Sequence, residues 1–388
     1  MEQNIFIFVV CGAREHIDTL HFSLKYLKKF SKYPIWILTD SSRNEIPIVH
    51  DTIIDIKTPK DFDHHQASIY LKTGIHQFVP KGNTYCYLDT DIIALNSDIN
   101  NIFKEYLAPI SFAPDHCVIN EFAPYAVYCA CLKEQEYRER LSEVMDKKDK
   151  YRLSNNEEVI EARREWQEAY ENKNKNFWKK LLFGFTYLLS RNKFYLTDTI
   201  YCDRKNNIWI KNDNIAFMHQ INMFDAAKEA GVKWNVFKMQ PISPNGKELW
   251  KPANCPHLQE EIYKKFNIKV ADKFQHWNGG VFLFDDRSHD FLERWFTKTM
   301  DIFKDSAWKT RDQGTLIATV WKMGLEAHPV LDKKWNLIAD FYNPQLKWVD
   351  KNTLQLSEKE QIKPNFLHVY HHFGDENWKF WKEIPVLN

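Results

Sequence analysis

Hydrophobic positions in the first hundred residues switch between two periods, and each switch predicts a change of element. Ile5-Phe6-Ile7-Phe8-Val9-Val10 is an unbroken apolar run ending at Cys11-Gly12, which predicts a strand. Ile17, Leu20, Leu24 and Leu27 then recur at helical spacing, with Lys25, Lys28 and Lys29 on the wet side. Pro34 to Thr39 reads as a second strand stopped by Asp40-Ser41-Ser42, and Thr52 to Ile56 as a short third. A helix is expected from about His65 to Phe78, then a Lys-Gly-Asn turn at 81–83. Tyr85-Cys86-Tyr87-Leu88 follows as a buried strand running straight into Asp89-Thr90-Asp91. Strand and helix alternate as in βαβ units, so the expected fold class is α/β with a mixed, mostly parallel sheet flanked by helices.

Beyond Ser111–Ala113, a further expected strand, the pattern changes. From Leu132 to about Asn176 acidic and basic residues interleave at helix spacing, and Leu181–Leu189 is short, aromatic and apolar. Regular α/β character returns with the strand Val281–Phe284, a helix over Asp290–Phe303, another from about Arg311 and a strand at Ala327–Val330. Asn365-Phe366-Leu367-His368 and a tail rich in aromatics and histidine close the chain. The expected division is 1–130 and 236–388 as two halves of one α/β domain, with 131–235 a mainly helical insertion.

Composition narrows the function. With 44% hydrophobic against 27% charged residues, 388 residues suffice for a large core. The 53 basic and 52 acidic residues leave a formal charge of +1, which gives no support for a polyanion-binding surface of the nucleic-acid kind. Aromatics at 15%, 14 of them Trp, suit a thick core and equally clefts that stack sugars or bases. Seven cysteines have no CxxC spacing, so neither a zinc framework nor a disulfide scaffold is expected, and a reducing compartment is. Glu2 beside so short an apolar run argues against a signal peptide. With no run near the ~20 residues of a membrane span and no Asn-x-Ser/Thr sequon, the expected location is the cytoplasm.

The candidate chemistry centres on Leu88-Asp89-Thr90-Asp91-Ile92. Side chains two apart on extended chain point the same way, so both carboxylates converge at the carboxyl end of a buried strand, where open α/β sheets bind ligands. Two hard oxygen ligands that cannot fill an octahedron suit Mn²⁺ or Mg²⁺ completed by phosphate oxygens and water. Phosphate loops, dinucleotide fingerprints, nucleophile elbows and HExxH are all absent.

With Tyr70-Leu71-Lys72, Tyr87-Leu88-Asp89-Thr90-Asp91, Trp277-Asn278-Gly279-Gly280-Val281, Arg311-Asp312-Gln313-Gly314 and His371-His372-Phe373-Gly374 in this order, the chain resembles the GT-A glycosyltransferases. The resemblance is to the retaining enzymes grouped with glycogenin and the bacterial lipooligosaccharide galactosyltransferases. It implies a nucleotide-sugar donor with a uridine diphosphate leaving group, and a glycan, glycolipid or protein acceptor. Asp89, Asp91 and a late histidine would hold the metal. His371 fits the His-x-x-Gly spacing and is preferred, while His368 fits the end of the preceding strand. Lys72 would contact donor phosphate, and Asn278-Gly279-Gly280 would let backbone approach the ligand closely. Asp312 and Gln313 would face the sugar. Cys11, Gly12 and Arg14 would meet the nucleotide, and Asp40 the base or ribose. Asn377 stands three residues beyond Gly374, so the diphosphate-gripping role falls to the nearest lysine, Lys379. Two other classes fit the same sheet: a nucleotidyltransferase, against which the single glycine in Cys11-Gly12-Ala13-Arg14 counts, and a non-catalytic sugar- or partner-binding module. The segment Phe177 to Leu189, flanked by lysines and arginine, is a candidate for peripheral contact with a membrane interface.

Overall fold

A computed structural model describes residues 3–154, 156–173, 175, 177–250, 254–339, 346–357, 360–369 and 371–384. The chain divides into two compact units, Met1–Cys129 with Asn254–Asn388, and Ala130–Ala253.

In the first unit the apolar runs become the strands of one sheet. β1 (Asn4–Val9), β2 (Ile35–Thr39), β3 (Ile53–Asp55) and β4 (Thr84–Leu88) lie in the order β3-β2-β1-β4, all parallel. Helix α1 (Arg14–Phe30) makes the first crossover and buries Ile17, Leu20, Leu24 and Leu27, the predicted stripe. Helix α2 (His64–Thr73) starts on a capping box, with the Asp63 side chain accepting from the Gln66 N–H and Gln66 returning a bond to the Asp63 N–H. The single helix expected to Phe78 is interrupted at Gly74. There an added Cβ would lie 2.9 Å from the Tyr70 carbonyl oxygen and 3.1 Å from Phe296.

After β4 the chain leaves the sheet. β5 (Ile92–Ala94) belongs to a separate three-stranded sheet, and β6 (Ser111–Val118) returns to the edge of the large one. β7 (Gln275–Phe284) fits between β4 and β6, antiparallel to both, which makes the six-stranded sheet mixed and mostly parallel as expected. Both strands are longer than their apolar cores suggested. The register of β7 against β6 slips between Asn278 and Phe282, so Asn278-Gly279-Gly280 is an irregular stretch inside a strand rather than a turn before one. Helices α3 (His289–Ile302) and α4 (Arg311–Lys322) follow. No strand forms at Ala327–Val330. Pro329 has no N–H to give to a ladder, and the segment runs as turns after Gly324, at φ +66°, until the Leu331 N–H donates to Phe112 O at 2.9 Å. β8 (Leu337–Ile338) and β9 (Phe366–His368) complete the small sheet in the order β8-β9-β5, with His368 opposite Ile92.

The two faces of β4 and β7 differ. One contributes the non-aromatic Cys86, Leu88, Val281 and Leu283 to the large core beneath α1. The other stacks aromatics: Tyr87 on Phe282 at 4.6 Å between ring centres, Phe282 on Phe112 at 4.9 Å, and Phe112 edge-on to Trp295 at 5.7 Å.

The second unit has its own cores. Helices Cys131–Lys148 and Glu157–Lys173 realise the charged stretch. Beyond the helix Phe177–Leu189, four strands between Lys193 and His219 form an antiparallel meander. Phe183 and Tyr187 of that helix pack edge-on against Phe194, each at 5.1 Å. Trp178, Leu181, Leu182, Phe185, Leu188 and Leu189 are exposed, at the spacing of one helix face.

Phe282 lies at the centre of the aromatic layer with no exposure. Phe282→Ala should therefore destabilise the first unit by about 3–5 kcal/mol through lost burial and a cavity. Urea denaturation followed by tryptophan fluorescence measures this, and a loss below about 1 kcal/mol would mean that the layer closes over the gap.

Candidate metal and sugar-phosphate site

The site is built where β4 gives way to β5. Asp89, Thr90 and Asp91 form a tight reversal closed by the Ile92 N–H donating to Asp89 O at 3.1 Å, so the carboxylates converge across a turn rather than along a strand. The small sheet brings in the third group: the Val369 N–H donates to Asp91 O at 3.1 Å, and His368 stands beside the turn. One ligand atom from each of Asp89, Asp91 and His368 lies within 4.8 Å of the others. His371, preferred from its spacing, does not join this group among the described residues. Lys379 opens a short helix, Lys379–Lys382, and its side chain lies outside the described residues.

His368 is oriented by Asn336, whose Oδ1 is 3.0 Å from Nδ1, leaving Nε2 3.4 Å from Asp91 Oδ1. Asp91 Oδ1 is buried and accepts no hydrogen bond of good geometry. Burial works against a charged imidazole at His368, yet Asp91 outweighs it and holds the pKa above the ordinary histidine value. Burial raises the Asp89 carboxyl above its usual range; Lys72 pulls the other way and Asp91 adds to the rise.

Lys72, on α2, is buried with its Nζ 3.1 Å from Asp89 and 3.2 Å from Asp312, in the first turn of α4. Desolvation opposes its charge, but the two carboxylates overcome it and raise the lysine pKa. Asp312 is held below the ordinary carboxylate value against its burial, chiefly by Lys72. Tyr87 donates its hydroxyl to Asp89. Three carboxylates thus face one ammonium and one imidazole, an excess of negative charge that fits a bound cation.

β7 closes the other side. Asn278 accepts from the Gly280 N–H at 2.8 Å and donates to Asp115 at 2.8 Å. The Gly280 carbonyl accepts from the Asp89 N–H at 2.8 Å. A Cβ on Gly280 would lie 2.7 Å from the His368 ring and 3.1 Å from Asp89 Oδ2. Gln313 fits Gly279 from α4: its amide oxygen accepts from the Gly279 N–H at 3.2 Å while its nitrogen donates to Trp277 O at 3.3 Å. Lys72, Asn278, Gly279, Gly280, Asp312 and Gln313 are therefore brought together with the aspartates.

The groups after β1 and β2 have bonds of their own. Gly12 takes φ +101° with its position crowded by His64, and its N–H donates to Asn44. The Cys11 thiol is buried, its pKa pushed up to about 11 by desolvation, and Arg14 is exposed with its N–H bonded to Glu45. Asp40 accepts from Thr58 N–H and Oγ1 at 2.8 and 2.7 Å and from Ser42, beside Arg43 at 3.4 Å. It caps its own loop. Sequence reasoning assigned no role to Asp115 or Asn336. Asp115 carries the same signal as Asp89, a carboxylate after an apolar strand, whereas nothing in the sequence marks Asn336.

No family model and no curated protein matches the chain. Among solved structures it is similar to the galactosyltransferase LgtC in complex with donor and acceptor sugar analogues, at 8% identity over 94% of this chain and 86% of that one, TM-score 0.38. It is also similar to mouse xyloside xylosyltransferase 1 in its apo form, at 11% identity over 99% of each chain, TM-score 0.38. The apo bifunctional glycosyltransferase WbbM gives 9% identity over 95% of this chain and 46% of that one, TM-score 0.38. Identity this low leaves function to be argued from the site's own residues.

Burial opposes ionisation of Asp40, but its hydrogen bonds to Ser42 and Thr58 prevail and lower its pKa. A carboxylate depressed on folding stabilises above its unfolded pKa of about 3.9 and loses that contribution as pH falls through the folded value. Asp40→Ala should cost about 2 kcal/mol at pH 7, with the gap from wild type closing progressively below about pH 4. Urea midpoints across pH measure it, and a gap independent of pH would remove the loop-capping role.

Proposed function

We propose that this chain is a metal-dependent GT-A glycosyltransferase that moves a sugar from a nucleoside diphosphate donor, a uridine diphosphate sugar, to a glycan, glycolipid or protein acceptor with retention. The observation that carries the reading is the convergence of Asp89, Asp91 and His368 beside Lys72 and Asp312, at the carboxyl end of a parallel strand. Retention and the uridine nucleotide rest on the motif resemblance. In this reading 1–130 is the nucleotide-sugar half, 236–388 the acceptor-side half and 131–235 the insertion.

Asp89, Asp91 and His368 would hold Mn²⁺ or Mg²⁺, and the ion would neutralise the diphosphate as it departs. The rest is work for the chain's own groups. Lys72 offsets Asp89 and Asp312 so that a phosphate can enter a site otherwise lined by carboxylates. The glycines at 279 and 280 keep β7 free of side chains where the donor would lie. Asp312 and Gln313, at the start of α4, face the sugar. The bond from the anomeric carbon to the diphosphate oxygen breaks, its electron pair leaving with the nucleotide. The acceptor oxygen takes that carbon, and its proton passes to the departing phosphate. Electrostatic stabilisation of the leaving group is the main catalytic contribution.

The helix Phe177–Leu189 fits a supporting role. Among the described residues no helix is long and apolar enough to cross a membrane. Between Glu171 and Asp198 there is no acidic residue, while Lys173, Lys175, Lys179, Arg191 and Lys193 flank the exposed apolar face. That combination suits an anionic lipid surface, with a lipid-linked acceptor.

Incubation with a panel of nucleotide sugars, measuring released nucleotide with and without Mn²⁺, tests the reaction. Asp89→Asn and Asp91→Asn should each lower turnover by at least ~10² with the circular dichroism unchanged. Chelation should stop turnover and Mn²⁺ restore it better than Ca²⁺, since imidazole is a borderline ligand. His368→Ala should weaken Mn²⁺ titration far more than His371→Ala. Full activity in either aspartate variant would sink the metal assignment. Pyrophosphate release would instead indicate a nucleotidyltransferase, and no turnover with any donor a binding module.

For the membrane contact, wild type should sediment with anionic liposomes at low salt, and Trp178→Glu with Leu182→Glu should remain in the supernatant. Wild type that stays in the supernatant would end the lipid assignment.

A further inference from the structure

A second cluster of metal-binding side chains lies on other elements of the first unit. Cys129 follows the helix Ile119–Ala126, and Cys255 and His257 lie at the start of the helix His257–Phe266. Although 126 residues separate the two cysteines, their Sγ atoms are 3.7 Å apart, and Cys255 Sγ is 3.2 Å from His257 Nδ1. A tetrahedral ion with Zn–S near ~2.3 Å and Zn–N near ~2.0 Å requires ligand atoms roughly 3.5–3.8 Å from each other. The pair at 3.7 Å matches that edge, and the sulfur–nitrogen pair needs only a few tenths of an ångström more. A ligand atom from each of the three lies within 4.8 Å of the others.

The backbone fixes these positions independently of the side chains. The Tyr128 N–H donates to Ala307 O at 2.9 Å and the Cys255 N–H to Asn120 O at 3.3 Å. Asn120 is tied in turn to the Asn254 side chain at 2.5 Å. Cys255 is fully buried, while Cys129 and His257 are partly exposed, so an ion has a route in.

We propose that Cys129, Cys255 and His257 bind one zinc ion, distinct from the carboxylate site and independent of the glycosyltransferase reading. This departs from the expectation that the cysteines are no zinc framework. The single residue between Cys255 and His257 is tighter than the loops of two to four residues usual between zinc ligands, and Cys129 is 126 positions away in sequence, so neither part reads as a site without the other. Two thiolates and an imidazole select a soft or borderline ion, and a tetrahedral ion held by three side chains keeps its fourth position for water. Binding releases the thiol protons to solvent and changes no oxidation state.

The test uses the full chain, reduced and expressed with zinc. About one zinc per chain should remain after gel filtration. Replacement by Co²⁺ should give the thiolate-to-cobalt charge-transfer absorption and the intense visible bands of a tetrahedral ion. Cys255→Ser and His257→Ala should lower zinc affinity by at least about tenfold. Asp89→Asn with Asp91→Asn should keep the zinc. If the single variants do not fold, the cobalt spectrum of the intact chain decides alone. A reduced wild type with no bound zinc and no charge-transfer band would overturn the proposal, as would a Cys129–Cys255 disulfide in protein purified without oxidant.

Discussion

The site depends on one buried ammonium. Lys72 is contributed by α2, Asp89 by the end of β4 and Asp312 by the first turn of α4, and these elements meet at its Nζ. A lysine is almost never buried without partners, and removing one member of such a group leaves an uncompensated charge costing about 3–5 kcal/mol. The constraint acts in both directions. Without Lys72, Asp89 and Asp312 could not both be ionised at this burial. Without them, Lys72 would have to reach solvent and draw α2 away from the sheet. The N-terminus of α4 adds a favourable dipole for Asp312. The ammonium therefore fixes where the Asp89–Asp91 turn stands relative to the first turn of α4.

A second constraint is steric. Gly280 passes so close to the aspartate turn that its carbonyl binds the Asp89 N–H while His368 and Asp89 crowd the place of a Cβ. Any larger residue would push apart the β7 backbone and the ligands together. The slip in register around Asn278 to Phe282 permits this approach, because a regular strand would hold side chains there at the normal pitch. Asn278 uses the slack to bind the Gly280 N–H and Asp115 simultaneously.

What was legible in the sequence follows from how local each cause is. Strands β1, β2 and β4 were readable because burial on both faces makes their apolar runs continuous, and α1 because its stripe is complete. Asp89 and Asp91 were readable from the strand before them, although they turn rather than extend. Ala327–Val330 misled because a short apolar run carries no information about Pro329. The metal-facing histidine was ambiguous for a different reason. His371 has the motif spacing, but His368 has the strand register opposite Ile92, and pairing of distant strands decides which imidazole reaches Asp91. Asn336, which orients that imidazole, sits at the end of a three-residue turn with nothing local to distinguish it.

The thiols mark the limit of the same reasoning. Cys129 alone and the pair Cys255-x-His257 are each too little to read as a site. What joins them is the packing of the helices Ile119–Ala126 and His257–Phe266, fixed through Asn120 and Asn254. Donor chemistry then separates the two clusters. Asp89 and Asp91 offer hard oxygens, with one imidazole to shift preference toward a borderline ion, whereas Cys129 and Cys255 offer sulfur. A magnesium ion has no reason to leave carboxylates and phosphate for thiolates, and zinc gains most where sulfur is densest. The two clusters therefore select different ions and can coexist in one unit without competing.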